Sequence, residues 1–126
     1  MKEISELFDP QEFYALASEL MAKYPQREAY LRTAISRAYY SALLQLRERI
    51  MQKRPDLLSH PRRETIHFRV RQALKAMGFA GLSGKLFNLY RLRGVADYET
   101  RLVVGSGMAV KAMSLAKDVI GAISRV

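Results

Sequence analysis

The stretch "QREAYLRTAISRAYYSALLQLRERIMQK", residues 26–53, runs without a glycine or a proline. Leu31, Ile35, Ala38, Tyr39, Ala42, Leu46 and Ile50 return at steps of three and four, which is the repeat of one face of an α-helix and not of a strand. At ~1.5 Å per residue the helix would be about 40 Å long, enough to serve as the spine of a small domain. A stripe of that length stays unburied unless other helices pack along it, so the reading of this stretch sets the fold class.

Working outward, Pro25 separates the spine from a first helix. Asp9 is its expected N-cap, Pro10 its first helical position and Glu12 the partner that completes a capping box. It reaches about Tyr24, with Phe13, Leu16, Ala17, Leu20 and Met21 on one face. Beyond the spine, "RPDLLSHP" (54–61) reads as a loop and Pro61 as the start of a third helix, with Ile66, Val70, Leu74 and Met77 inward and Gly78 at its end. Ser83 is the expected cap of a fourth helix that reaches about Tyr98 and turns Leu86, Leu89, Tyr90 and Leu92 inward. "RLVVGSG" (101–107) connects it to a last helix, about 107–124, that buries Val110, Met113, Ala116, Val119, Ile120 and Ile123. The sequence therefore predicts an all-α, antiparallel up-and-down bundle of four to five helices, one domain over residues 1–126.

Composition removes several kinds of chemistry. With no cysteine and two histidines, disulfides, thiolate catalysis and a structural zinc site are ruled out or unfavourable, and no metal or other cofactor is expected. No run approaches the ~18 apolar residues of a membrane span, and the first dozen residues are acidic where a secretory signal is basic. A cytoplasmic protein without a membrane partner is the expectation.

The net charge of +9 is distributed unevenly. Residues 1–24 sum to −3, residues 27–54 to +5 and residues 55–75 to +3. Most of the cations are arginine, whose planar fork suits phosphate and stacks on bases, so a polyanion, RNA above all, is the favoured partner over a surface that merely aids solubility. On the spine, Arg37, Tyr40 and Arg47 share one flank, while Tyr39, turned about 100° away, faces the core stripe. Tyr40 with Arg37 is a candidate phosphate or base contact, and Tyr39 a core residue whose hydroxyl needs a partner. Arg62, Arg63 and Arg71 extend the basic set around the third helix. His67 lies one turn from Arg63 and from Arg71, a setting that keeps an imidazole neutral near pH 7 and able to act as a base. The spacings Arg54 to His60 and Arg62 to His67 fit an Arg-x(4–6)-His pattern, but so many arginines make such matches common. "VVGSG" lacks the ending of a phosphate-binding loop, and Ser106 reads as a helix cap.

"RLRGVADYE" (91–99) carries the densest constellation. Tyr90, Arg93 and Asp97 fall on one flank of the fourth helix, with Arg91 and Tyr98 directed elsewhere. Gly94, unfavourable in a helix by ~1 kcal/mol against alanine, suggests close helix approach or a bend. A salt bridge from Arg93 to Asp97 would tie this helix to the spine.

Together, "AISRAYYSALLQLRERI" (34–50), "HFRVRQALKAMGF" (67–79) and "LYRLRGVADYE" (89–99), followed by an alanine-rich last helix, resemble the HEPN superfamily over about residues 8–124. The resemblance is to its small stand-alone members, with Arg-Ala-Tyr-Tyr-Ala-like second and Leu-Arg-x-x-Ala-Asp-Tyr-like fourth helices. It implies a homodimeric helical bundle. It also implies either a metal-independent endoribonuclease of a toxin–antitoxin or other defence system, or a non-catalytic module that pairs with a small nucleotidyltransferase or an antitoxin. In the nucleases an Arg-x(4–6)-His motif lies near the fourth helix. Arg93 matches its arginine, which would stabilise charge on a phosphate, but no histidine follows, and Asp97 beside its own arginine is a feeble base. Either the nuclease centre is absent, the favoured alternative, or His67 brings the imidazole from the preceding helix. Arg93 and His67 are then the catalytic candidates, Tyr40, Arg37, Asp97 and Tyr98 the positioning ones, and Arg47, Arg62, Arg63 and Arg71 the RNA contacts.

Overall fold

A computed structural model describes residues 7–58 and 64–126. Among them the chain forms five α-helices and no strand: α1 (Gln11–Lys23), α2 (Glu28–Lys53), α3 (Ile66–Ala76), α4 (Ala80–Tyr98) and α5 (Ser106–Ala122). Short 3-10 turns, Pro55–Leu58 and Ile123–Arg125, follow α2 and α5. The fold is an all-α bundle, and α2 is its spine: each of the other four helices packs against it.

All seven residues of the expected stripe on α2 are buried, and so are Ala34, Ser36, Ser41 and Leu43. The helix is buried on more than one side because neighbours surround it, a situation in which period alone underestimates the core. From the other elements Ala17, Val70, Leu74, Leu86, Leu89, Ala112, Ala116 and Val119 close the core. No described helix is long and apolar enough to cross a membrane.

Helix ends follow local chemistry. The Asp9 carboxylate accepts the N–H of Gln11 at 3.0 Å, so it caps α1 from one position further out than a side-chain cap on Pro10 could. Thr65 caps α3 by accepting the N–H of Phe68 at 3.2 Å. At the other end of α3, Gly78 has φ +90°, and Phe79 N–H bonds Leu74 C=O at 2.7 Å while Gly78 N–H bonds Lys75 C=O at 3.1 Å. That double closure is a Schellman ending, and only glycine takes its backbone angle without strain.

Several expectations are corrected. Pro61, the expected start of the third helix, lies outside the described residues, and the described α3 opens at Ile66. Ile66 is 37% exposed and not inward, being on the first turn at the rim of a cleft. Ser83 does not cap α4. The helix begins three residues earlier, and Ser83 is fully buried within it. Leu16 and Val110 are exposed, while the neighbouring alanines Ala17 on α1 and Ala109 and Ala112 on α5 are fully buried. Ser106 is the first residue of α5, whose N-cap is Gly105, and makes no side-chain cap. Gly94 lies inside a continuous α4 with nothing within 4 Å of the position a Cβ would take, so no close helix approach requires it.

Candidate functional site

Three helices meet in a polar, aromatic cluster. α2 contributes Ser36, Arg37, Tyr39 and Tyr40, α3 contributes His67 and Arg71, and α4 contributes Tyr90, Arg93, Asp97 and Tyr98. Because consecutive helical residues diverge by about 100°, Tyr39 is buried in the core while Tyr40 stays half-buried on the flank. Their rings still meet edge to face, 5.0 Å apart at 70°.

The inner half of the cluster centres on His67. Its Nδ1 shares a hydrogen bond with the Tyr39 hydroxyl at 3.0 Å, and its ring stacks on Tyr90 at 3.9 Å and 19°. Burial pushes the Tyr39 hydroxyl above its ordinary pKa, against the pull of Arg93, so the hydroxyl keeps its proton. Burial first, then the charges of Arg71 and Arg93, bring His67 down to about 4. The neutral imidazole expected from the sequence is present, with burial as the leading cause. Nδ1 is engaged by Tyr39, and Nε2 is buried with no hydrogen-bond partner among the described residues. A proton carrier has to come within about 2.6–3.2 Å of the group it serves. In this arrangement neither nitrogen is open to a substrate.

The outer half centres on Arg93. Its guanidinium carbon lies 5.1 Å from the ring centre of Tyr90, 5.3 Å from Tyr39, 5.6 Å from Tyr98 and 5.8 Å from Tyr40. Tyr98 was expected to point elsewhere; it is exposed, yet its ring completes this set of four. Arg93 Nη1 stands 3.5 Å from Asp97 Oδ2, a loose pairing, and its Nε is buried without an acceptor. A cation over a ring contributes ~0.5–1 kcal/mol, more when desolvated, against ~0.3–0.5 kcal/mol for an i,i+4 ion pair. The tyrosines therefore hold Arg93 more firmly than Asp97 does. The Ser36 hydroxyl donates to the same Asp97 oxygen at 3.3 Å, and Arg37 Nη2 donates to Ser36 Oγ at 3.3 Å, so the carboxylate does clasp α4 to the spine.

The structure thus brings His67 and Arg93 against the same two rings, Tyr39 and Tyr90, within one chain. Arg37 lies at the cluster's edge over Tyr40 at 5.0 Å and over Phe13 of α1 at 4.8 Å, and makes no ion pair among the described residues. Arg71 is engaged internally: its Nε donates to the Ser83 carbonyl at 3.1 Å and its guanidinium covers Phe87 at 4.5 Å, tying α3 to α4. Arg47 is exposed and lines a separate cleft further along α2. Arg62, Arg63 and His60 lie outside the described residues. Among the described residues no group of three or more His, Asp or Glu is placed to hold a metal ion.

Sequence reasoning missed Arg32. It bonds Glu28 at 2.9 Å through Nε, the Val95 and Ala96 carbonyls through Nη1, and the Glu99 and Leu102 carbonyls through Nη2. Glu28 in turn accepts the N–H of Val104 at 3.2 Å. This pair fixes the end of α4 that carries Arg93, Asp97 and Tyr98, and its only sequence signal is the Glu28–Arg32 spacing of four. None of the family models, curated proteins or solved structures compared with this chain matches it.

Proposed function

We propose that the protein is an RNA-binding bundle of HEPN type that holds single-stranded RNA on its α2–α4 face without cleaving it. The observation that carries this reading is the exposed edge of the tyrosine cluster, where Arg37 lies over Tyr40 and the 71% exposed ring of Tyr98 stands beside Arg93. An aromatic face next to a guanidinium offers a base a stacking platform and a phosphate a cation. The excess of arginine over acid in residues 27–75 supplies the long-range attraction. Cleavage is left out because the one described imidazole has Nδ1 bonded to Tyr39 and Nε2 buried.

The test is fluorescence anisotropy of a labelled single-stranded RNA titrated with the protein in EDTA, with the RNA run on a gel afterwards. Binding that weakens at least fivefold in Tyr98→Ala, with the RNA intact, is the expected result. Absence of binding overturns the reading. Cleavage that disappears in Arg93→Ala overturns its non-cleaving half and makes the protein a ribonuclease.

A second reading has one observation in its favour: Leu7 and Phe8, just before α1, and Leu16 on it are exposed apolar side chains. In it the protein is an interaction module, and a second copy, a small nucleotidyltransferase or an antitoxin covers them. Such a complex survives RNase treatment, whereas one bridged by RNA falls apart.

A further inference from the structure

Apart from the tyrosine cluster, a cleft opens where the C-terminal half of α2 meets the 3-10 turn and the first turn of α3. Met51, Leu58, Ile66 and Val70 form its apolar walls, and Arg47 and Arg69 stand among them. Met51 and Ile66 stay 49% and 37% exposed at this concave place, where burying them is favourable for any apolar group of matching size. The cavity measures about 210 Å³. An enclosed apolar cavity of ~150 Å³ holds a benzene ring, so this half-open cleft has room for at least a ring with a short substituent.

The two guanidiniums set the charge of what fits. Arg69 Nη1 donates to the Leu58 carbonyl at 3.3 Å, which fixes the side chain at the wall of the cleft. Arg47 makes no ion pair among the described residues, and no carboxylate is among the described residues lining the cleft. A phosphate dianion is strongly hydrated and matches poorly to walls that are mostly hydrocarbon. A monocarboxylate gives the arginine fork two oxygens at a smaller desolvation cost.

We propose that this cleft binds a small organic monocarboxylate, with a body of one aryl ring or a short branched chain against Met51, Leu58, Ile66 and Val70 and its carboxylate on Arg47 and Arg69. The site does not depend on RNA binding at Tyr98, and each can fail without the other.

The test is a titration of the 15N-labelled protein with phenylacetate, followed by amide shifts. Saturating shifts are expected at Met51, Leu58, Ile66 and Val70. Arg69→Met should weaken them at least tenfold, and so should replacing phenylacetate by neutral benzyl alcohol. Inorganic phosphate should leave these amides unsaturated over the same range. If Arg69→Met loses the dispersed spectrum of the fold, the exposed Arg47→Met takes its place, with the same weakening expected. The proposal is overturned if phenylacetate gives no saturating shift at these amides up to about 20 mM. Undiminished binding in the folded arginine variant, or equal binding of benzyl alcohol or phosphate, overturns it as well.

Discussion

Burial and two guanidiniums hold the His67 imidazole neutral, and that preference makes stability depend on pH. Its pKa falls from an ordinary 6.5 to about 4 in the folded chain, so between those values the unfolded state binds the extra proton. The stabilising contribution is complete above about pH 6.5, shrinks as pH drops through that window, and is gone below about 4. A half-buried ring is partly screened, so the loss is on the order of 1–2 kcal/mol. Urea midpoints at about pH 7.5 and about pH 4.5 should therefore separate more in the wild type than in His67→Phe. Equal separations would show that His67 does not drive the acid sensitivity. Tyr39→Phe tests the other side of the same hydrogen bond. It leaves the His67 Nδ1 without its partner at 3.0 Å, and a loss of ~1–2 kcal/mol is expected by denaturant unfolding. A change within about 0.3 kcal/mol would mean that the bond contributes nothing net. The two measurements separate a structural clasp from a catalyst at this site.

At the scale of an element, the end of α4 depends on a side chain from another helix. The last carbonyls of an α-helix lack partners within it, and Arg32 reaches Ala96, adds a second donor to Val95, which already accepts the Glu99 N–H at 3.0 Å, and just past the helix bonds Glu99 and Leu102. Hydrogen bonds to a charged donor contribute ~1.5–3 kcal/mol, so Arg32→Met should cost about 2–4 kcal/mol after partial compensation by water. Hydrogen exchange should quicken first at residues 99–104, where Glu28 also holds the Val104 N–H. Uniformly faster exchange across all five helices would instead indicate a core defect. Gly94 points the opposite way. It sits in mid-helix with open space where a Cβ would go, so Gly94→Ala should raise stability by ~0.5–1 kcal/mol; a lower thermal midpoint would refute this. The helices were legible because their apolar steps are long and regular, as on α2. The ends were less so, because Ser83 and Ser106 have cap-like chemistry but the chain starts each helix by backbone geometry and packing. Arg32 was illegible as a capping residue because its acceptors lie more than sixty positions away.

Across the whole molecule, charge and aromatic residues are sorted by place. The acidic N-terminal segment contrasts with a spine and third helix rich in arginine, a pattern legible in the sequence. Which of those arginines remain available was not legible. Arg71 and Arg93 are held inside the bundle by Ser83, Phe87 and the tyrosines, whereas Arg37 lies at the edge of the cluster over Tyr40 and Phe13, and Arg47 is exposed and makes no ion pair among the described residues. Under the RNA binding proposed above, that sorting sets what salt should do to affinity. For a single strand, log affinity falls with log salt with a slope of about −0.7 per phosphate contacted. If Arg37 meets a phosphate, Arg37→Ala should flatten the slope by about 0.7 and weaken binding at low salt. Tyr98→Ala should weaken binding at every salt concentration with the slope unchanged, because stacking releases no counterion. Arg71→Gln, at a side chain already committed to α4, should lower the unfolding midpoint while leaving the salt slope as it was. The opposite result, a slope that falls with Arg71 and not with Arg37, would move the RNA from the α2–α4 face to α3. The measurement therefore separates an arginine that meets RNA from one that holds the bundle together, which net charge alone cannot do.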